Sequence, residues 1–227
     1  PTMILVLIGA VLSLWASAKV KNTFNRYSSV RSMTGMTGAE AAQRLLNSQG
    51  IYDVTVQPIA GELTDHYDPR TKTVNLSQSV YGATSVAAIG VAAHECGHAM
   101  QDNEGYAPLR FRSALVPAAN FGSKLSWPLI LLGLVFGGLG SPLVEIGILM
   151  FSLAVLFQLV TLPVEYNASA RAVRLLDSQG ILAGEEVSGT RKVLNAAALT
   201  YVAAAATSIL QLLRLIILFG GRNRRDN

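Results

Sequence analysis

The stretch Thr84-Ser-Val-Ala-Ala-Ile-Gly-Val-Ala-Ala-His94-Glu95-Cys96-Gly97-His98-Ala-Met100 decides how the chain is read. Thr84 or Ser85 can cap a helix start. Ala87, Ala88, Ile89, Val91, Ala92 and Ala93 then make an apolar helix small enough for neighbours to approach closely. His94 and His98 lie four residues apart, on one face of that helix and one turn above each other. Two imidazoles so related can reach a single tetrahedral Zn²⁺. Glu95 emerges beside such an ion, where a carboxylate can take a proton from water. Cys96 faces away from it. His and Glu inside an apolar helix each need a partner, because burying an unpaired polar group is expensive, and a metal is such a partner.

Around this helix, 51% of the 227 residues are hydrophobic and 14% charged, which is more apolar than an ordinary soluble domain. Segments 1–18, 127–162 and 193–219 are almost free of charge, and most charges fall in 19–126 and 163–192. The expected fold class is a mainly α integral membrane protein with a helical catalytic domain, a small β-hairpin or sheet, and three to four membrane-associated helices. Its expected divisions are an N-terminal membrane anchor (1–18), a polar catalytic domain (19–126), a membrane helical hairpin (127–162), a return segment (163–192), and an apolar helix with a basic tail (193–227). The lone Cys96 excludes an intramolecular disulfide and fits a reducing compartment. A net charge of +4 is no pointer to nucleic acid here. The basic residues cluster beside apolar spans, where topology and anionic lipid account for them.

Residues 1–18 are just long enough to span a bilayer and, without a basic leader or small-residue cleavage site, read as an uncleaved signal anchor. Lys19, Lys21, Arg26 and Arg31 follow with no acid before Glu40, so the polar domain is expected on the cytoplasmic side. Thr37 and Glu40 form a capping box for a helix closed by Gly50. Val54 and Val56 suit a strand, and 63–77 reads as a β-hairpin turning near Asp68-Pro69-Arg70. Its second arm, 73–77, is expected to offer an open edge to an extended peptide. Segments 129–139 and 143–162, joined at Gly140-Ser141-Pro142, form a helical hairpin that returns the chain to the catalytic side. Residues 44–51 and 174–181 are near copies whose flanks do not match, and read as two helix endings with Gly at C′. The helix 193–219 either spans, leaving Arg222, Arg224 and Arg225 outside, or lies in the interface or packs into the catalytic domain; the positive-inside rule favours a helix that does not span.

A catalytic zinc needs a third protein ligand and an open position for water. His66 is the only other histidine, and acidic candidates after the motif include Asp102, Glu104, Glu145, Glu165 and Asp177. Glu165 stands out because it sits where the second hairpin arm leaves the membrane, and a carboxylate so near an apolar run is costly unless paired or metal-bound. His66 has three readings: hydrogen bonding to a substrate carbonyl or oxyanion, replacing Glu165 as ligand, or holding its own turn. Tyr201 needs a hydroxyl partner within an apolar helix, facing the site or lodged in the core.

The segment 91–99, upstream His66-Tyr-Asp-Pro-Arg-Thr-Lys72 and downstream Leu162-Pro-Val-Glu-Tyr-Asn-Ala-Ser169 together resemble the YugP-type neutral zinc metallopeptidases of prokaryotic membranes, over nearly the whole chain. More distantly the plan resembles the HtpX and CAAX-prenyl-protease gluzincins, whose third ligand is a Glu in a Glu-x-x-x-Asp stretch. The resemblance implies a zincin-like catalytic domain with ligands His94, His98 and Glu165 and general base Glu95. Ser169 stands where those families have Asp. The carboxylate that would orient a ligand histidine is therefore missing there, with Asn167 or a backbone carbonyl as substitutes.

The expected activity is zinc-dependent hydrolysis of peptide bonds in membrane proteins or peptides, by a multi-pass protein of the prokaryotic inner membrane. Peptide substrate and lipid bilayer are the expected partners. The rival is a zinc-stabilised membrane scaffold without turnover, which has no need of Glu95.

Overall fold

The computed structural model of the chain describes residues 2–139 and 141–219. Gly140 of the hairpin turn and Arg222, Arg224 and Arg225 of the basic tail lie outside the described residues. The elements run α1 (Met3–Ser28), α2 (Gly38–Ser48), β1 (Thr55–Ile59), β2 (His66–Asp68), β3 (Thr73–Ser77), α3 (Gln78–Tyr81), α4 (Val86–Asn103), α5 (Ala107–Gly137), α6 (Pro142–Ser178) and α7 (Glu185–Phe219). They divide into two compact units: Pro1–Ala16 with Arg110–Leu162 and Thr200–Asn227, and Ser17–Leu109 with Pro163–Leu199.

The first unit is held together by small residues. A Cβ on Gly9 would lie 2.9 Å from Thr207 Cγ2, and one on Gly147 would lie 2.9 Å from the Ser126 carbonyl, so neighbouring helices meet almost backbone to backbone. Its outer surface is apolar, with Leu7, Val11, Leu14, Val135, Phe136, Leu149 and Ile217 all exposed. In water that surface would be a liability; against hydrocarbon it is the favoured one. Among the described residues four helices, α1, α5, α6 and α7, are long and apolar enough to cross a membrane. The chain is a mainly α membrane protein. α7, which the charge pattern reads as a helix that does not span, meets the same criteria of length and composition as the others.

The second unit carries the chemistry-bearing residues. α2 opens on the expected capping box, with Thr37 Oγ1 accepting from Glu40 N and Glu40 Oε2 accepting from Thr37 N. The two near-copied endings are the same device used twice. Gly50 (φ 71°) and Gly180 (φ 63°) adopt the left-handed turn, and Ile51 N and Ile181 N donate back to Leu46 O and Leu176 O, each at 3.0 Å.

β2 and β3 form the expected antiparallel hairpin, in the register His66↔Asn75, Tyr67↔Val74 and Asp68↔Thr73. β3 is not an open edge, however. The sheet order is β1-β3-β2, with β1 parallel to β3, so both edges of β3 are paired and a peptide cannot add there. Tyr67 hydroxyl donates to Asp102 Oδ2 at 2.8 Å and Lys72 Nζ lies 3.2 Å from the same oxygen, which ties the sheet to the end of α4.

Candidate metal centre

α4 starts where Ser85 Oγ accepts from Ala88 N, and it is buried over most of its length. Two of its glycines allow neighbours to touch it. A Cβ on Gly90 would meet Thr190 Cγ2 of α7 at 2.8 Å, and one on Gly97 would meet the Ala168 carbonyl of α6 at 2.6 Å. A side chain at 97 therefore has no room. Because Gly97 has none, α6 lies against the histidine face of α4, with Glu165 one turn before Ala168.

His94 Nε2 and His98 Nε2 stand 3.2 and 3.4 Å from Glu165 Oε2, and one ligand atom from each of the three residues falls within 4.8 Å of the others. Two donors about 2.1 Å from a tetrahedral ion stand roughly 3.4 Å apart. The two histidine-to-carboxylate separations match that edge, and two imidazoles with one carboxylate form a zinc-type donor set.

The hydrogen bonds behind His98 give a second fit. Arg171 can only donate, so its Nε fixes Asn167 Oδ1 as the acceptor at 2.7 Å. Gln101 Nε2 donates to that oxygen at 3.0 Å and to the Val164 carbonyl at 2.8 Å, so Gln101 Oε1 faces His98 Nδ1 at 3.0 Å as an acceptor. His98 must carry its proton on Nδ1. The lone pair of neutral Nε2 then points at a carboxylate oxygen, a contact that is attractive only with a proton or a cation between them. Burial opposes charging His98, yet the hydrogen bond to Glu165 and the charges of Glu95 and Glu165 outweigh it and raise its pKa. A cation shared by His94, His98 and Glu165 satisfies the same geometry.

His94 is oriented by Ser169, whose Oγ lies 3.0 Å from His94 Nδ1. The residue standing in place of the expected Asp thus performs the contact itself. Asn167 instead anchors Gln101, and no backbone carbonyl is needed. Arg171 completes the chain, with Nη1 donating to Glu104 Oε1 at 2.7 Å and its guanidinium over the Tyr106 ring. This holds the Glu104 carboxyl below its usual range. Gln101 was missed in the sequence. The available signal was a Gln one turn past His98 on the same helix, at the head of a polar run; in the fold it is 0% exposed. Replacing it with Leu removes the Nδ1 acceptor, and zinc affinity should fall roughly 10–100-fold, with Gln101→Glu retaining more. Competition against a chromophoric chelator measures this, and affinities equal to wild type would contradict it.

Glu95 is 8% exposed, and among the described residues no hydrogen-bond donor holds its carboxylate. Cys96 points away as expected, its thiol donating to the Ala42 carbonyl at 3.6 Å, and burial with the Glu95 charge pushes its pKa well up. His66 is not brought to the cluster. Its Nδ1 donates to the Thr64 carbonyl at 2.8 Å and its Nε2 accepts from Asn75 Nδ2 at 3.3 Å, which occupies both ring nitrogens within the hairpin. Tyr201 belongs to the first unit.

Residues 2–220 match a family described as "putative neutral zinc metallopeptidase". The chain is similar to the "putative membrane protease YugP" of Bacillus subtilis (strain 168), at 50% identity over 215 residues, 95% of this chain and 94% of the relative. No solved structure matches.

Proposed function

The chain belongs to the neutral zinc metallopeptidase family, and from that premise we propose that it is a membrane-embedded endopeptidase of the gluzincin type. In this reading His94, His98 and Glu165 hold one zinc and Glu95 is the general base. The carrying observation is the convergence of the three donor atoms within 4.8 Å, with Glu95 next to His94 on the same helix. Bound zinc supplies a Lewis acid that lowers the pKa of water from about 15.7 toward about 7. Glu95 takes the proton as the water oxygen attacks the scissile carbonyl carbon, then delivers it to the leaving nitrogen as the C–N bond breaks. Ser169 and Gln101 keep both imidazoles turned with Nε2 inward throughout. His66 serves the hairpin and not the reaction.

The substrates are membrane proteins or peptides with extended segments near the bilayer. Lys19, Lys21, Arg26 and Arg31 after the first span support a catalytic unit on the cytoplasmic side of a prokaryotic inner membrane.

The test uses the full chain in lipid nanodiscs. A chelator should abolish peptide cleavage and stoichiometric zinc should restore it. A scissile segment tethered to a transmembrane helix should be cut faster than the same segment free in solution. Cleavage that survives complete zinc removal would overturn the mechanism, and equal rates on both substrates would overturn the substrate class.

A further inference from the structure

Within the second unit lies a cavity of about 530 Å³ that the metal centre does not use. Its walls are Lys19, Thr23 and Arg26 of α1, Tyr166 of α6, and Lys192 and Asn195 of α7, continued by Ala196 and Leu199. Lys19, Thr23 and Arg26 follow one face of a helix, as do Lys192, Asn195 and Leu199, so the lining is a feature of two facing helix surfaces. Three cations point into one concavity and no acidic side chain lines it. Among the described residues none of the three is within ion-pair distance of a carboxylate. The Tyr166 hydroxyl and the Asn195 amide add donors that no protein acceptor engages among the described residues. Arg26 is steadied at the wall by the Tyr27 ring, 5.7 Å from its guanidinium carbon.

This arrangement calls for an anion, and the lining indicates its class. Lys19 is the first residue after the apolar run 1–18, and Lys192 is the last before the apolar run 193–219. Beside the three cations the lining is apolar at Ala196 and Leu199. The volume suits an organic ligand, in the range of roughly 300–1,000 Å³, and far exceeds what a lone phosphate fills. Basic pockets at the feet of membrane helices are suited to phospholipid headgroups. We propose that this cavity binds the headgroup of an anionic phospholipid. Lys19, Arg26 and Lys192 take the phosphodiester, and the glycerol and first acyl carbons lie against Ala196 and Leu199. The inference does not rest on the peptidase reading, and its test does not use activity.

The full chain in a neutral detergent is titrated with phosphatidylglycerol, with phosphatidylcholine of the same acyl chains, and with inorganic phosphate, and bound ligand is counted by native mass spectrometry. Wild type should retain one phosphatidylglycerol per chain and bind it at least about tenfold more tightly than the other two ligands. The triple variant Lys19→Gln, Arg26→Gln, Lys192→Gln should weaken that binding on the order of a hundredfold. A control removing three charges elsewhere, Lys21→Gln, Arg31→Gln and Arg70→Gln, should leave it intact. Asn195→Trp, which obstructs the cavity and keeps every charge, should also lose the lipid, so a misfolded triple variant would not leave the question open. Equal retention of the two lipids, or equal losses in triple variant and control, would reduce the effect to general surface charge and overturn the proposal. Phosphate binding as tightly as phosphatidylglycerol would assign the cavity to the free ion. Displacement of the lipid by an acidic peptide but not by its neutral analogue would assign it to substrate. Either result overturns the lipid site.

Discussion

Glu95→Gln is expected to bind one zinc per chain, as wild type does, and to hydrolyse peptides about 10²–10⁴-fold more slowly. The amide has nearly the shape of the carboxylate, and Glu95 is not among the three residues whose donor atoms converge. The metal should therefore remain. What is lost is a basic oxygen able to accept a proton from water and return it to the leaving nitrogen. Metal analysis and peptide cleavage on the same preparation separate the two effects. Undiminished cleavage would remove Glu95 from the mechanism, and zinc binding with no cleavage by wild type or variant would advance the rival reading, a zinc-stabilised membrane scaffold. A variant that lost both zinc and activity would show Glu95 to be part of the metal's support.

Glu165→Ala should lose stoichiometric zinc, and with it all hydrolysis. Glu165 is 2% exposed, and its Oε2 is the atom that both histidines approach. Without it, two imidazoles face each other across a cavity with no anionic donor, and the site falls to two ligands. The loss should exceed the roughly 10–100-fold cost of removing an outer hydrogen-bond partner such as Gln101. Equilibrium dialysis against buffered zinc measures it directly. Tight zinc retained by Glu165→Ala would exclude this carboxylate and return attention to His66. His66→Ala should leave zinc affinity unchanged, since both of its ring nitrogens are engaged by Thr64 and Asn75.

What could be read from the chain alone follows the range of the interactions involved. The capping box at Thr37 and Glu40, the repeated glycine endings at Gly50 and Gly180, and the hairpin turn after Asp68 are all settled within a few residues of sequence, and all are present. The spacing of His94, Glu95 and His98 is likewise local, because one helix places all three. Strand order is not local. Nothing in residues 73–77 announces that β1, eighteen residues earlier in register, lies parallel on their outer side, and so an edge was expected where the middle strand stands. The extent of α5 was also hidden, since its apolar run begins well after its first residue and hydropathy does not mark a helix's polar half. Glu165 was legible through the cost of a carboxylate at a membrane boundary and through family resemblance. Gln101 was not, because its meaning depends on Val164 and Asn167, which reach it only when Gly97 lets α6 close on α4.

The atoms around the metal decide whether His94, His98 and Glu165 are its ligands. A zinc K-edge X-ray absorption spectrum of the full-length, zinc-loaded protein examines that without reference to turnover. The expected first shell holds only nitrogen and oxygen at about 2.0–2.2 Å, with the outer scattering of two imidazoles. Zinc–sulfur scattering at about 2.3 Å would bring in Cys96, and a shell with fewer than two imidazoles would remove His94 or His98; either would contradict the site described here.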